Sequence, residues 1–335
     1  MNKTVSIIIP CKNEEEYIEK CILSVLSNNY PKELVSIYVC DGLSEDKTPE
    51  IVQTISLKHS NVHLLKNKKQ TTPFALNLGL KKSEADIKII LGAHAEVDKN
   101  FITENVKTFK IDTKIGCTGG VIKNVYENNT SKIIGLAMSS PFGVGNAHFR
   151  TGAKSGYVDT VAFGAYKKEV FNKIGYFDES LTRNQDDEFN YRLVKNDFKI
   201  YLNQNIKSKY YVRASFKKLF RQYYQYGYWK VFVGKKHKAV TSIRQLIPLF
   251  FVLFLIFGGL LSLVHPYLFF VFVAGLCTYL IAAFLAAFTL KSNPFKIVYS
   301  FLILHSSYGF GYLLGIFDFL ILNKKPNKSS SELTR

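Results

Sequence analysis

Val5-Ser6-Ile7-Ile8-Ile9-Pro10-Cys11-Lys12-Asn13-Glu14-Glu15-Glu16 decides how the amino-terminal half folds. A short β-branched run stopped by proline is the pattern of a strand buried on both faces. Asn13 followed by three acids reads as a helix start, because carboxylates in a first turn match the positive end of the helix dipole. That helix is predicted to run to Ser27. The same alternation repeats downstream: a strand at Val35–Cys40 leaving through Asp41-Gly42, a helix from Thr48, and a strand near Val62–Leu65. A helix follows over Pro73–Lys82, with proline in its first turn, then a strand over Ile87–Leu91 ending at Gly92-Ala93-His94. Repeated βα units predict an α/β, Rossmann-like domain with a parallel sheet and helices on both faces. Ligands of such sheets bind at the carboxyl ends of the strands, where Asp41 and His94 fall.

Beyond Thr118-Gly119-Gly120 the pattern loosens. Residues 139–158, rich in Gly, Ser and Phe, are expected to form a long loop over the site. A strand over Val158–Tyr166 and a helix over Asn184–Lys195 restore order.

The carboxyl-terminal half is of another kind. From Gln245 to Leu290 there is no Asp, Glu, Lys or Arg in 46 residues. A membrane-crossing helix needs roughly 20 apolar residues, so this run has the length of two spans with His265-Pro266 at the turn. A third apolar run, Ile297–Leu322, carries the single acid Asp318. The formal charge of +18 would suit nucleic acid, but its distribution does not. Eleven Lys or Arg residues lie between Lys207 and Arg244 with no acid among them, directly before the first span. Cations there set orientation and favour anionic headgroups, so the partner implied is membrane lipid and not nucleic acid.

Five scattered cysteines with no CxxC pair fit a reduced compartment better than a disulfide framework. The amino-terminal apolar run is too short for a signal peptide, which leaves the soluble half in the cytoplasm. No G-x-G-x-x-G follows the first strand, which argues against a dehydrogenase. About three spans without a buried ion pair or broken-helix pair argue against a transporter.

Four segments carry candidate chemistry. Asp41, beside the Gly42 turn, can accept hydrogen bonds from a base or ribose, or simply make the turn. With Pro10 and Glu14 at the adjacent strand end it forms a rim bearing two acids. In Gly92-Ala93-His94-Ala95-Glu96, His94 can bind Mn²⁺ through a ring nitrogen, donate to a diphosphate, or be purely structural. In Asn184-Gln185-Asp186-Asp187-Glu188 the acids either neutralise a helix end, with a capping box from Thr182 or Asn184, or supply a general base. Successive helix positions point about 100° apart, so one base with two supporting groups is the economical arrangement. In Arg221-Gln222-Tyr223-Tyr224-Gln225-Tyr226-Gly227-Tyr228-Trp229-Lys230 the aromatic rings suit either a sugar or a bilayer interface.

Together these motifs resemble glycosyltransferase family 2, with its GT-A fold, and within it the membrane-bound exopolysaccharide enzymes of the succinoglycan (ExoA) type. The run from Gly152 to Arg192, with Val158–Tyr166 and Asn184–Glu188, carries the resemblance most specifically. It implies an inverting transfer from a nucleoside diphosphate sugar. Pro10, Glu14 and Asp41 would line the nucleotide pocket, and Gly92-Ala93-His94 would occupy the place of the DxD metal motif. Asp186 would be the catalytic base, with Asp187 beside it on the acceptor side. Gln222, Gln225 and Trp229 look like a counterpart of the QxxRW acceptor motif. Two departures stand out: the DxD position has neither aspartate, which leaves Mn²⁺ or Mg²⁺ dependence open, and Tyr228 precedes Trp229 where arginine is usual.

The expected organisation is a cytoplasmic GT-A domain over 1–212 and a basic amphipathic interfacial segment over 213–244. A transmembrane region follows over 245–323 (spans about 245–264, 268–290 and 297–322), then a polar tail over 324–335. The acceptor is a glycan or a polyprenyl-linked sugar. Transfer to polyprenyl phosphate itself is the alternative, and an inert nucleotide-sugar-binding membrane protein is a third reading. Gly309, Gly311 and Gly315 would also allow the last apolar run to be re-entrant or interfacial, and the carboxyl terminus is expected on the cytoplasmic side.

Overall fold

A computed structural model describes residues 3–145, 147–152, 154–212, 214–238 and 243–326. The polar tail from 327 onward lies outside the described residues. The chain forms two compact units: Met1–Val125 with His148–Tyr211, and Tyr126–Ala147 with Val212–Arg335.

The first unit opens with β1 (Val5–Cys11), α1 (Ile18–Leu26), β2 (Val35–Asp41), α2 (Thr48–Lys58), β3 (Val62–Lys66), α3 (Thr72–Lys82) and β4 (Ile87–Ile90). Next come β5 (Ala95–Val97), α4 (Phe101–Thr108) and β6 (Ile115–Val125). The chain then contributes α5 (Asn129–Met138) and α6 (Pro141–Val144) to the second unit. It returns with α7 (His148–Thr151), β7 (Gly156–Val158), β8 (Ala162–Lys167), α8 (Lys168–Ile174), α9 (Gln185–Lys195) and β9 (Lys199–Tyr211).

All nine strands form one sheet in the order β3-β2-β1-β4-β8-β6-β9-β5, with β7 also paired to β9. Ile7 and Ile9 of β1 pack on one face with Ile18, Cys21 and Ile22 of α1. Ile8 packs on the other with Ala75, Leu76 and Leu80 of α3. A strand apolar on both faces is thereby sandwiched between helices, as its sequence requires.

The sheet is parallel only through β3, β2, β1 and β4. β8 enters antiparallel to β4 and to β6, so the expectation of an all-parallel sheet is corrected to a mixed one. β6 and β9, which pair in parallel, carry glycine and alternating polar residues that hide their strand character. The predicted strand over 158–166 is two strands, β7 and β8, and the expected loop over 139–158 contains α6, α7 and β7.

In the second unit, α10 (Phe216–His237) is followed by helices Ile247–Leu261, Pro266–Phe288 and Pro294–Ile321. The last two are long and apolar enough to cross a membrane. α10 lies so close to Pro294–Ile321 that a Cβ on Gly227 would strike the Tyr308 carbonyl oxygen, and one on Gly311 that of Tyr224. The glycines near the chain end thus serve backbone-to-backbone packing. His305 ties three pieces together: Nε2 donates to the Phe142 carbonyl at 2.9 Å and Nδ1 accepts from the Tyr279 hydroxyl at 2.9 Å.

Candidate active site

The carboxyl ends of β1, β2 and β4 share one edge of the sheet, and the antiparallel β8 begins at that same edge. Ligands of open α/β sheets sit at such an edge.

The loops after β1 and β2 are laced together. The amides of Asn13, Glu14 and Glu15 donate to Ser44 Oγ, Thr48 Oγ1 and Asp46 Oδ2 at 2.8, 2.8 and 3.1 Å. In return, Asn13 Oδ1 accepts from Glu45 N at 2.9 Å, and Glu15 Oε2 accepts from Lys47 N at 3.0 Å. Asn13 and Leu43 adopt left-handed backbone conformations, φ 54° and 58°. This corrects the predicted helix start at Asn13. The first turn's amides are spent on the neighbouring loop, and α1 begins only at Ile18.

Asp41 is 3% exposed and accepts from Ser44 N at 3.1 Å, from Ser44 Oγ and from Cys11 Sγ at 3.8 Å. Its carboxylate shapes the loop. Pro10 pairs with Cys40 across the two strands, half-buried. Glu14 is buried, 3.5 Å from His94 Nδ1. Ala93 is fully buried, and the His94 ring packs edge-on against Tyr210 at 5.1 Å. Pro10, Glu14, Asp41, Ala93 and His94 are thus neighbours along one sheet edge.

Asp186 is exposed in the first turn of α9, with Asp187 partly exposed beside it. The Tyr166 hydroxyl is pushed well above its ordinary pKa by burial first, then by Cys117 and Asp186, which sets the Asp186 carboxylate within electrostatic reach of β8. Glu188, the third acid, has a different task. It is buried and grips Arg192 with both oxygens, at 2.7 and 2.8 Å, while Arg192 donates to the carbonyls of Ile174 and Tyr176. Asn184 precedes the helix in the left-handed region, φ 58°, and its side chain makes no capping bond, so it does not form the capping box considered from sequence.

Two groups escaped the sequence reading. Arg150 of α7 lies over the Tyr210 ring at 5.4 Å, the ring that packs on His94. Among the described residues, Arg150 Nη1 and Gln185 Oε1 are buried polar atoms without a hydrogen-bond partner. Buried polar atoms rarely stay unmatched, so Arg150 Nη1, beside Tyr210 and thus near His94, is a candidate donor to a ligand. The only signal that could have marked Arg150 is that it is the one arginine in the Gly/Ser/Phe-rich segment.

Gln222, Gln225 and Trp229 belong to the second unit. Trp229 is 1% exposed, edge-on to Tyr228 and Phe232, so it offers no face to a sugar. Gln225 is buried as well, while Gln222 is partly exposed and donates to the Tyr226 hydroxyl at 2.8 Å.

Residues 6–175 match the family model described as Glycosyl transferase family 2. The chain belongs to that family. It is 36% identical over 272 residues to the Methanococcus voltae dolichyl N-acetyl-alpha-D-glucosaminyl phosphate 3-beta-D-2,3-diacetamido-2,3-dideoxy-beta-D-glucuronosyltransferase, covering 78% of this chain and 84% of the relative. It is 30% identical over 261 residues to the succinoglycan biosynthesis protein ExoA of Rhizobium meliloti (strain 1021), covering 77% and 78%. Among solved structures it is similar to the mannosyltransferase PcManGT from Pyrobaculum calidifontis, in complex with GDP-Man and Mn²⁺. The TM-score is 0.60 at 15% identity, over 95% of this chain and 88% of that one. S. aureus TarS 1–349 in complex with UDP follows at TM-score 0.52 and 18% identity, over 69% and 65%. These likenesses establish the GT-A fold, and the family membership makes this chain a glycosyltransferase.

The stretch expected in place of the metal motif is Gly92-Ala93-His94. Only His94 brings a metal donor, with Glu14 3.5 Å away, and among the described residues no three His, Cys, Asp or Glu side chains group to hold an ion. A hard divalent cation calls for several oxygen ligands. The side chains present do not fit a resident metal.

Proposed function

We propose that this family 2 transferase moves a sugar, with inversion, from a nucleoside diphosphate sugar to a lipid-linked glycan acceptor at the cytoplasmic face of a membrane. The reading is supported by the sheet edge along which Pro10, Glu14, Asp41, Ala93 and His94 are neighbours, to which we assign Asp186, the exposed acid in the first turn of α9.

Asp186 takes the proton of the acceptor hydroxyl, and the oxygen attacks the anomeric carbon from the face opposite the diphosphate. The new C–O bond forms as the bond to the diphosphate breaks, and the electron pair leaves with the nucleoside diphosphate. Arg150 and His94 serve the negative charge that grows on the leaving group. Asp187 binds the acceptor. Gln222 is assigned to the acceptor as it comes from the membrane, with Gln225 and Trp229 anchoring the helix that carries it.

The Methanococcus voltae relative is named for transfer onto a lipid-phosphate-linked N-acetylglucosamine. That favours a lipid-linked sugar over bare polyprenyl phosphate as acceptor, and the ExoA likeness favours polysaccharide assembly as the setting.

The test is nucleotide release by the purified full-length protein from a panel of UDP-, GDP- and dTDP-sugars, before and after chelation of divalent cations. One donor is expected to turn over, and Asp186→Asn to lower release about 10²–10⁴-fold. A variant as fast as the parent removes Asp186 from the chemistry. Release that dies on chelation and returns with Mn²⁺ would mean that the donor recruits an ion despite the poor protein ligand set.

A further inference from the structure

We infer that α10 and Pro294–Ile321 form a single platform lying on anionic lipid headgroups, and that only the hairpin of Ile247–Leu261 and Pro266–Phe288 enters the bilayer.

The two platform helices run side by side in the same direction. Phe216 packs on Tyr299 with ring centroids 5.2 Å apart. Further on, Gly311 meets the Tyr224 backbone, the Tyr228 hydroxyl donates to Asp318 at 3.0 Å, and Lys235 Nζ donates to the Phe319 carbonyl at 2.6 Å. From Phe216 to Lys235 this seam is about 30 Å long at 1.5 Å per residue, a whole bilayer core. Either both helices cross or neither does.

α10 cannot cross. It carries Lys217, Lys218, Arg221, Lys230, Lys235 and Lys236 among tyrosines and glutamines, and so lacks the roughly 20-residue apolar run that a span needs. Its partner is therefore kept out too, although its length would suffice. Burial agrees: in the most apolar stretch of Pro294–Ile321, 56% of residues are buried within the protein, against 6% for Pro266–Phe288. The former is the core helix of its unit, while the latter is left for lipid to cover.

What Pro294–Ile321 does expose is apolar: Phe295, Tyr299, Phe310, Leu314, Phe317, Leu320 and Ile321. Over the α-helical part, at about 100° per residue, Phe295, Tyr299, Phe310 and Leu314 fall within an arc of about 100°, and the last three lie on the π-helical turn that follows. Lys217, Lys218, Arg221 and Lys236 are exposed on α10. An apolar stripe together with a basic surface is the make-up of a helix assembly lying in the interface, and the positive charge selects anionic headgroups.

The remaining two helices pack antiparallel, Phe251 on Tyr279 at 4.5 Å and Phe254 on Phe272 at 5.2 Å. A hairpin returns the chain to the side it left, so Lys291 and Lys325 both face the side from which α10 starts.

Variants of the full chain with one accessible thiol, Phe295→Cys, Phe310→Cys, Ile321→Cys and Lys325→Cys in a Cys277→Ser background that keeps the four buried cysteines, with parental Cys277 as the deep reference, would be reconstituted in phosphatidylcholine vesicles with and without phosphatidylglycerol. Spin-label depth and impermeant-maleimide labelling are then read. Positions 295, 310 and 321 should share one shallow depth, Cys277 should lie deeper, and position 325 should label from the same side as a Lys66→Cys control. Phosphatidylglycerol should draw the three shallow sites closer to the headgroups, and Lys217→Ala with Lys218→Ala and Arg221→Ala should cancel that shift. Position 310 at the mid-plane with 295 and 321 at opposite surfaces would overturn the platform, as would labelling of 325 from the far side. A shallow depth indifferent to phosphatidylglycerol would overturn the headgroup preference. None of these readouts depends on turnover, so they stand apart from the proposed reaction.

Discussion

Glu188 and Asp186 sit two residues apart on α9; the first holds the fold, and the second is the one proposed to react. The Glu188 carboxylate is 2% exposed and answered by Arg192. Replacing Arg192 by Met would take the ion-pair partner from that buried charge, a loss of roughly 3–5 kcal/mol, read as a large fall in melting temperature. Asp186→Asn should melt like the parent while failing in catalysis. Arg150 is separable in the same way. Arg150→Lys keeps the charge but loses the planar fork, so donor KM should rise with kcat little changed, whereas Arg150→Ala should lower both. Asp186 could be singled out from sequence because acids crowd the first turn of α9. Arg150 was not, because its importance lies in an orphaned nitrogen, and sequence does not record which atoms lack partners. Trp229 misled for a related reason: an aromatic ring reads alike whether it faces a sugar or, as here, a helix core.

At the scale of elements, β1 to β4 were readable because each is a short apolar run between breakers. β6 and β9 were not, since their residues alternate and their pairing is long-range. The edge strand β5 is fastened to β9 by Glu96, which takes hydrogen bonds from Lys209 at 3.0 Å and from the Tyr211 hydroxyl. Burial pushes the Glu96 carboxyl upward, but the Tyr211 and Lys209 contacts outweigh it, so its pKa lies below the ordinary glutamate value. A depressed carboxyl contributes stability above that ordinary value and loses it as the pH falls through the folded-state pKa. The drop in melting temperature between about pH 6 and pH 3 should therefore be smaller in Glu96→Gln than in the parent. The α10 seam fails differently: Gly311→Leu has no room beside the Tyr224 backbone and should open Pro294–Ile321 to protease, while Gly311→Ala should do so less.

For the whole molecule, hydropathy weighs each segment by itself and yields three spans, whereas the platform inferred above leaves two. A helix alongside a basic partner is bound by what that partner tolerates. Four of the five thiols, Cys11, Cys21, Cys40 and Cys117, are buried in the sheet unit, and Cys277 alone is exposed. Burial lifts Cys21 and Cys40 to about 12, far from the thiolate that alkylating reagents attack. Native protein in detergent should therefore take up at most one maleimide, at Cys277, and denatured protein five, counted by intact mass. The fold thus hands the experimenter a nearly thiol-silent scaffold, in which one replacement clears the background for any probe placed elsewhere on the chain.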